Sequence, residues 1–260
     1  MNTVKPGLFS LVMAILVLLF LALPIIIIFP LALSPTAYLT FPPEGVSLRW
    51  MAKVLTNPEW MSSLWLSFRI SVVSTLLSMV FSLLMALALV RYRFSGKQII
   101  YVLVLLPMIV PNIISALALF FFFSAVDIFN SVSSIIIGHA VIALPVATII
   151  ISSTLQGIDR QLEYSAMSLG ASDFTVFRRI TFPLAAPGII SAAIFSFLSS
   201  FDELLIALFM AGNSVQTLSV RIWNSVQFEL DPTIAAVSVL LIFITIVFLL
   251  AANFLTQRRQ

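Results

Sequence analysis

The chain contains no cysteine and a single histidine, His139. Without cysteine there are no disulfide bonds, thiolate nucleophiles or cysteine-ligated metal sites. One histidine also argues against a His-rich metal site or a His-dependent catalytic triad. A glycine-rich phosphate loop ending in Lys-Ser or Lys-Thr is missing too, so we expect no ATP hydrolysis by this chain and no enzyme here. No cofactor is expected on this chain.

Charge is also scarce, because only 9% of the residues are charged while 61% are hydrophobic. Soluble domains have roughly 25% charged residues. With a mean hydropathy of +1.17, the chain is predicted to be an all-α integral membrane protein with a single domain over residues 1–260. The net charge of +3 is attributed to basic residues at the ends of spans and not to nucleic-acid binding.

Apolar runs of about 20 residues or more, enough to cross a bilayer, predict six membrane spans. The first run is too long for the apolar region of a signal peptide and is interpreted as a retained span. The predicted spans are Leu8–Leu33, Met61–Val90, Ile99–Val126, Val132–Leu155, Gly188–Ala211 and Pro232–Leu255.

The distribution of lysine and arginine predicts the orientation of these spans, since cytoplasmic loops carry an excess of both. One side has nine basic residues and the other has four, which places both termini and the segment 156–187 in the cytoplasm. The nine are Lys5, Arg91, Arg93, Lys97, Arg160, Arg178, Arg179, Arg258 and Arg259, and the four are Arg49, Lys53, Arg69 and Arg221.

Two longer connections are predicted on the outer side, and each has two interpretations. Ser34–Trp60 is rich in proline and aromatic residues, and Gly212–Asp231 carries Trp223 and Glu229. The prolines disfavour a regular helix in the first connection. Both segments are typical either of an interfacial aromatic belt or of a surface that docks an external partner.

The segment 156–187 carries signals for two short helices joined at Gly170. Asp159 can cap the first helix, in which Leu162, Ala166 and Leu169 share a face, and Gly170 suits a left-handed turn at its end. Ser172 can cap a second helix, Asp173–Ile180, which Pro183 and Pro187 are expected to end before the next span. Such an amphipathic hairpin either lies at the lipid headgroups or binds in a partner's groove.

At these residues the chain resembles the permease subunits of type I ATP-binding-cassette (ABC) importers. Their signature is Glu-Ala-Ala, three residues, Gly, nine residues, then Ile-x-Leu-Pro. Gly170, Ile180 and Pro183 match it in spacing, whereas Tyr164-Ser165-Ala166 retains only the second alanine, and Glu163 is a candidate for the missing carboxylate.

The resemblance implies a cytoplasmic coupling hairpin between the fourth and fifth spans that inserts into an ATPase subunit. It further implies an ATPase dimer, a second homologous permease and an external substrate-binding protein as partners, in a bacterial inner membrane. The residues it assigns to coupling are Glu163, Tyr164, Ser165, Ala166, Gly170, Ala171, Ile180 and Pro183.

Two acidic residues, Asp202 and Glu203, fall inside the predicted fifth span. Asp202 lies about 21 Å along a helix from Gly188 at 1.5 Å per residue. A carboxylate at that depth costs at least ~2.5 kcal/mol, so it either forms a structural ion pair or lines the route of a cation. Because neighbouring residues of a helix diverge by about 100°, the two carboxylates are not expected to face the same point.

Other polar features of the spans have competing interpretations. Asn112, which follows Pro107 and Pro111 in the third span, either lines the pathway or bonds to a neighbouring helix. His139 and Pro145 are interpreted as packing features. Phe201, within Ser200–Glu203, is a further pathway candidate, because this stretch resembles that of spermidine/putrescine-type permeases.

The expected function is therefore half of the translocation pathway of an ATP-driven importer, with a polyamine as the first choice of cargo. Related permease subgroups for ferric iron, thiamine or organophosphonates remain alternatives. An ion-coupled secondary transporter is the runner-up from another class, although the inverted repeats that it requires are not evident. An intramembrane enzyme lacks a catalytic motif or a set of metal ligands.

Overall fold

The computed structural model describes residues 7–212, 215–228 and 231–257, and every regular element in these ranges is helical. The predicted all-α class is confirmed. Lys5, Glu229, Arg258 and Arg259, on which some predictions rest, lie outside the described residues.

The helices are α1 (Leu8–Ala32), α2 (Arg49–Thr56), α3 (Pro58–Arg91), α4 (Lys97–Ile109), α5 (Asn112–Ala125), α6 (Val132–Gln156), α7 (Arg160–Ser168), α8 (Asp173–Val176), α9 (Phe182–Phe201), α10 (Leu205–Met210), α11 (Leu218–Phe228) and α12 (Thr233–Gln257).

The chain divides into two compact units. One is drawn from Met1–Met61 and Asn224–Phe248, and the other from Ser62–Trp223 and Leu249–Gln260. The second unit contains the predicted hairpin and both groups of candidate site residues.

Four continuous helical stretches in the described part are long and apolar enough to cross a bilayer. They are Leu8–Ala32, Pro58–Arg91, Val132–Gln156 and Asp173–Phe201. α4 and α5 together add a fifth if they form one broken span, and the apolar Thr233–Val247 is shorter than these. The total of six spans therefore stays a prediction.

The third predicted span is not one helix. α4 and α5 meet at an angle of 104° around Val110 and Pro111. Val110 is extended, with φ −74° and ψ 135°, because the residue before a proline is disfavoured in the helical region. Pro111 also has no backbone N–H to continue the helix. The predicted span Ile99–Val126 therefore consists of two helices, α4 and α5, broken at one of its prolines.

The fifth predicted span begins earlier and is also interrupted. Helical structure runs without a stop from Asp173 through the π-helical turn Phe177–Thr181 into α9, which ends at Phe201. The chain then leaves the helix at 202–204 before α10 begins. The continuous helix expected for Gly188–Ala211 was therefore wrong.

Within the second unit, α6 packs along α9, and small residues allow the close approach. A Cβ atom added to Gly188 would overlap the side chain of Thr154 on α6. Ala143, Ala147 and Ala192 are fully buried in the same unit. Close packing through small residues is typical of helix pairs in membranes, where apolar burial alone does not hold helices together.

Serine side chains form a polar stripe on α3. Ser74 Oγ donates to the carbonyl oxygen of Ile136 at 2.9 Å, and Ser82 Oγ donates to that of Leu144 at 3.0 Å, both on α6. Near the other end of α3, Ser67 Oγ accepts a bond from the Leu218 N–H at 2.8 Å. The stripe comprises Ser63, Ser67, Ser71, Ser74, Ser78 and Ser82, all buried. Sequence reasoning missed it, although the three- and four-residue spacing was visible.

In the first unit, the predicted outer connection contains a helix that the prolines were expected to disfavour. α2 forms between those prolines, and Trp50 on it is buried. Trp50 Nε1 donates to the carbonyl oxygen of Ser34 at 3.0 Å, while Tyr38 is 76% exposed. α11 likewise occupies much of the second connection, 212–231.

Candidate coupling site

The segment 156–187, called the hairpin below, has the two helix starts predicted from sequence. Asp159 Oδ1 accepts a bond from the Gln161 N–H at 2.9 Å and caps α7. The hydroxyl of Ser172 accepts from the Thr175 N–H at 3.4 Å and caps α8. Both caps satisfy backbone donors that the first turn of a helix leaves without a partner. These predictions are confirmed.

The turn between α7 and α8 is also as predicted. Gly170 has a φ of +89°, which lies in the left-handed region. The Gly170 N–H bonds to the carbonyl of Met167 at 2.9 Å, and the Ala171 N–H bonds to that of Ala166 at 3.1 Å. This pair of bonds is the Schellman arrangement, in which a left-handed glycine ends the helix.

The second helix does not end where expected. Pro183 lies in the first turn of α9 and Pro187 lies inside it, so neither proline separates the hairpin from the following helix. In the π-helical turn, the Phe182 N–H bonds to the carbonyl of Phe177, five residues back. A turn of that width is a rare local departure from the α-helix, and here it comes directly before Pro183.

One side of the hairpin is exposed in this chain. Leu162 is 50% exposed, Leu169 90% and Phe174 70%. Ala166, which was predicted to share a face with Leu162 and Leu169, is half-buried. Several large exposed apolar side chains on one hairpin are typical of a surface that binds a partner or a membrane.

α7 also buries a charge. Glu163 is 6% exposed and is the buried residue of that helix. Its Oε1 lies 2.9 Å from Arg91 Nη2 and accepts a bond from Arg91 Nε at 3.1 Å. The hydroxyl of Thr181 donates to the same oxygen at 2.8 Å. The carboxylate of Glu163, which the resemblance assigns to coupling, therefore points inward in this chain.

Arg160 adds a second connection between the hairpin and α3. Its Nη2 donates to the backbone carbonyl of Arg91 at 2.8 Å, and its guanidinium lies 5.5 Å from the ring centroid of Tyr164. From sequence, Arg91 and Arg160 were used only to predict orientation, and Thr181 was given no role. No local pattern pairs residues that are 72 positions apart, as Arg91 and Glu163 are.

The remaining signature residues differ in exposure. Tyr164, Ser165 and Pro183 are exposed, while Ala171 and Ile180 are half-buried.

The acidic pair lies in the break between α9 and α10, not within a helix as expected. Asp202 is exposed, and Glu203 is half-buried. Glu203 Oε1 accepts a bond from the Ile206 N–H at 3.1 Å and so caps the first turn of α10. The two carboxylates thus have different surroundings, and Asp202 is the more accessible one.

Aromatic rings lie next to this break, and only one of them, Phe201, was identified from sequence. Phe201 stacks on Phe197 with ring centroids 5.5 Å apart, and Phe197 contacts Phe68 edge-on at 5.8 Å. Phe68 in turn contacts Trp65 at 5.7 Å. These four rings, called the aromatic row below, connect α3 to the end of α9.

The other pathway candidate, Asn112, lies on a different helix. It is exposed at the first residue of α5, directly after the break at Pro111. α10 packs against α5, so the helices that follow the two breaks are neighbours. His139 is buried and its Nδ1 lies 2.9 Å from Ser200 Oγ, in agreement with a packing role. Within the described ranges, no group of three or more potential metal ligands occurs.

Long apolar helices, two of them broken, and a capped hairpin together define a multi-pass membrane protein. Comparison with known proteins gives the family: residues 78–259 match the model of the binding-protein-dependent transport system inner membrane component. The chain belongs to this family and is a permease subunit of an ABC importer in the bacterial inner membrane. The predicted family is confirmed, and an ion-coupled secondary transporter and an intramembrane enzyme are no longer candidates.

Similar proteins include several permeases. The spermidine/putrescine permease protein PotC of Haemophilus influenzae is 30% identical over 217 residues, covering 84% of each chain. The putrescine permease protein PotI of Escherichia coli is 31% identical and covers 76% of this chain and 73% of its own. The trehalose permease protein SugB of Mycobacterium tuberculosis is 32% identical, with 88% and 86% covered.

Solved structures have the same fold. A bacterial ABC transporter that imports the acidic polysaccharide alginate contains a chain with a TM-score of 0.73 and 16% identity, with 99% of both chains covered. A chain of the MetNI methionine ABC transporter has a TM-score of 0.66 and 16% identity, covering 77% of this chain and 95% of its own.

Proposed function

We propose that this chain forms half of the translocation pathway for a polyamine, paired with a second homologous permease. An external binding protein delivers the cargo, and a separate ATPase dimer binds ATP and Mg²⁺. The whole chain, residues 1–260, acts as one permease domain, with six spans and both termini in the cytoplasm. The hairpin is its coupling element and inserts into the ATPase.

The observation that carries the choice of cargo is the exposed Asp202 beside the aromatic row. Identity alone does not decide the cargo, because the polyamine and trehalose permeases match this chain about equally well. A polyamine at neutral pH is a chain of cationic amines separated by methylene groups. Carboxylates attract such amines, and the face of an aromatic ring attracts a cation with a free energy of ~0.5–2 kcal/mol. A neutral sugar gains little from either interaction.

The exposed apolar side of the hairpin supports the coupling role. Leu162, Leu169 and Phe174 would be covered by the ATPase, as the apolar face of an amphipathic helix is covered in a partner's groove.

Transport assays of the reconstituted complete importer test the cargo. We expect the wild type to accumulate radiolabelled spermidine or putrescine in proteoliposomes in an ATP-dependent manner. Asp202→Asn should reduce that uptake about tenfold at low polyamine concentration while leaving co-purification of the ATPase unchanged. Asp127→Asn is the matched control, since Asp127 is exposed and its φ of 61° suits asparagine.

Two results would contradict the proposal. Accumulation of thiamine, ferric iron, a phosphonate or trehalose, without polyamine uptake, would exclude the polyamine. Normal polyamine uptake by Asp202→Asn would show that this carboxylate does not contribute to the route.

A further inference from the structure

The hairpin is connected to the rest of its unit through one buried carboxylate. Glu163 on α7 meets Arg91, the last residue of α3, and Thr181, the last residue before α9. Both partners bond to the same oxygen, Oε1. Arg160 holds the start of α7 to the backbone of Arg91. These four residues are called the Glu163 clamp below.

The clamp differs from an ordinary surface ion pair in burial. The side chains of Arg91 and Glu163 are only 9% and 8% exposed. A buried ion pair holds its partners in one geometry, because separating them leaves a charge away from water without compensation. The exposed ion pair of Lys53 with Asp231, in which the lysine side chain is 45% exposed, does not have this property.

The Glu163 clamp lies where the hairpin meets the ends of two long helices, α3 and α9. α3 and α9 are both long enough to cross the bilayer, and their ends at the hairpin meet at this one carboxylate. A displacement of α7 cannot leave Glu163 in place, so it either carries Arg91 and Thr181 along or breaks three short contacts. The exposed side of α7 remains available for a partner at the same time.

We propose that Glu163 is a positioning residue that transmits movement of the hairpin to α3 and α9 through Arg91 and Thr181. This inference rests on the proposed coupling role of the hairpin. Glu163 then acts inside the permease and does not itself contact the ATPase. The exposed Tyr164 and Leu169 provide the outer contacts.

The absence of native cysteine makes a direct test possible. Fluorescent labels are attached to Ser168→Cys on α7, or to Tyr92→Cys just beyond α3, in the assembled importer. Both sites are exposed. In the otherwise unchanged protein we expect both labels to respond to ATP and Mg²⁺. In Glu163→Gln, the label on α7 should still respond, while the response of the label beside α3 falls at least fivefold.

Transport per ATP hydrolysed provides the functional measurement. Glu163→Gln should lower the amount of spermidine imported per ATP about tenfold, with ATP hydrolysis itself retained. Thr181→Val keeps the ion pair and removes only the bond from the hydroxyl of Thr181, so it should lower this ratio by a smaller factor. The exchange Arg91→Glu with Glu163→Arg should restore part of the loss, and Asp127→Asn should change nothing.

The outcomes separate the two proposals. Equal ATP responses of both labels in Glu163→Gln, with unchanged transport per ATP, would overturn the clamp and leave the coupling role of the hairpin intact. Failure of the α7 label to respond in the otherwise unchanged importer would overturn the coupling role and the clamp with it. If Glu163→Gln does not assemble, Thr181→Val decides by the same two measurements.

Discussion

Gly188 allows α6 and α9 to approach closely because it has no side chain. An added Cβ would overlap Thr154, whose hydroxyl is itself bonded to the carbonyl of Ile150 at 2.8 Å. Thr154 is therefore held in place, and relief requires α6 and α9 to separate. A single methyl group added at Gly188 would therefore disturb the packing of α6 against α9.

We expect Gly188→Ala to destabilise the protein by about 1–3 kcal/mol, the usual cost of overpacking. The thermal unfolding midpoint of the purified importer in detergent measures this effect. Gly157→Ala is the control, because its added Cβ would lie 3.5 Å from the nearest atom, an ordinary contact. Equal midpoints for the two variants would show that α6 and α9 adapt without cost.

At the scale of the element, the bend of the hairpin depends on the backbone conformation of Gly170 and not on packing around that residue. An added Cβ at Gly170 would meet no atom within 4 Å, so its requirement for glycine comes from the positive φ alone. A side chain in the left-handed region costs roughly 1–2 kcal/mol, and asparagine tolerates that region better than other residues. The effect of a substitution here should therefore follow backbone preference and not side-chain volume.

Gly170→Val should reduce substrate uptake per ATP hydrolysed severalfold while leaving membrane insertion intact, because the angle between α7 and α8 changes. Gly170→Asn should retain most of the coupling. Uptake and ATP hydrolysis in proteoliposomes provide the measurement, with membrane fractionation as the check on insertion. A valine variant that transports as well as the wild type would contradict the importance of this turn.

At the scale of the whole molecule, the bent pair of α4 and α5 determines the path of the chain through the membrane. A helix pair bent by 104° either crosses once as a broken span or returns to the side from which it entered. The distribution of lysine and arginine favours a crossing, since Arg91 and Arg93 precede α4, Lys97 begins it, and no basic residue lies between α5 and α6.

We therefore predict that residues before α4 and after α5 lie on opposite sides of the membrane. Ser95→Cys and Ser133→Cys, both at exposed positions, provide single reactive sites in a chain without native cysteine. A membrane-impermeant maleimide should label Ser95→Cys from the cytoplasmic side and Ser133→Cys from the outside. Labelling of both from the same side would show that the pair is re-entrant.

Local features of the hairpin were predictable from sequence. Asp159, Gly170 and Ser172 were all identified, because a cap or a left-handed turn depends on residues within a few positions of each other. The interruption at 202–204 was not identified, because apolar residues lie on both sides of Asp202 and Glu203 and the length of the whole stretch only indicates that a span is possible. Pro183 was predicted to end a helix that in fact continues, since a π-helical turn lies directly before it.

The sequence by itself determined that this protein belongs in a lipid bilayer and that a polar, capped hairpin interrupts its apolar runs. Both properties follow from composition and from interactions between near neighbours along the chain. Only the tertiary structure decided that Glu163 faces Arg91 and that Trp65, Phe68, Phe197 and Phe201 form a row. Such contacts depend on how whole helices pack, which no short stretch of sequence specifies.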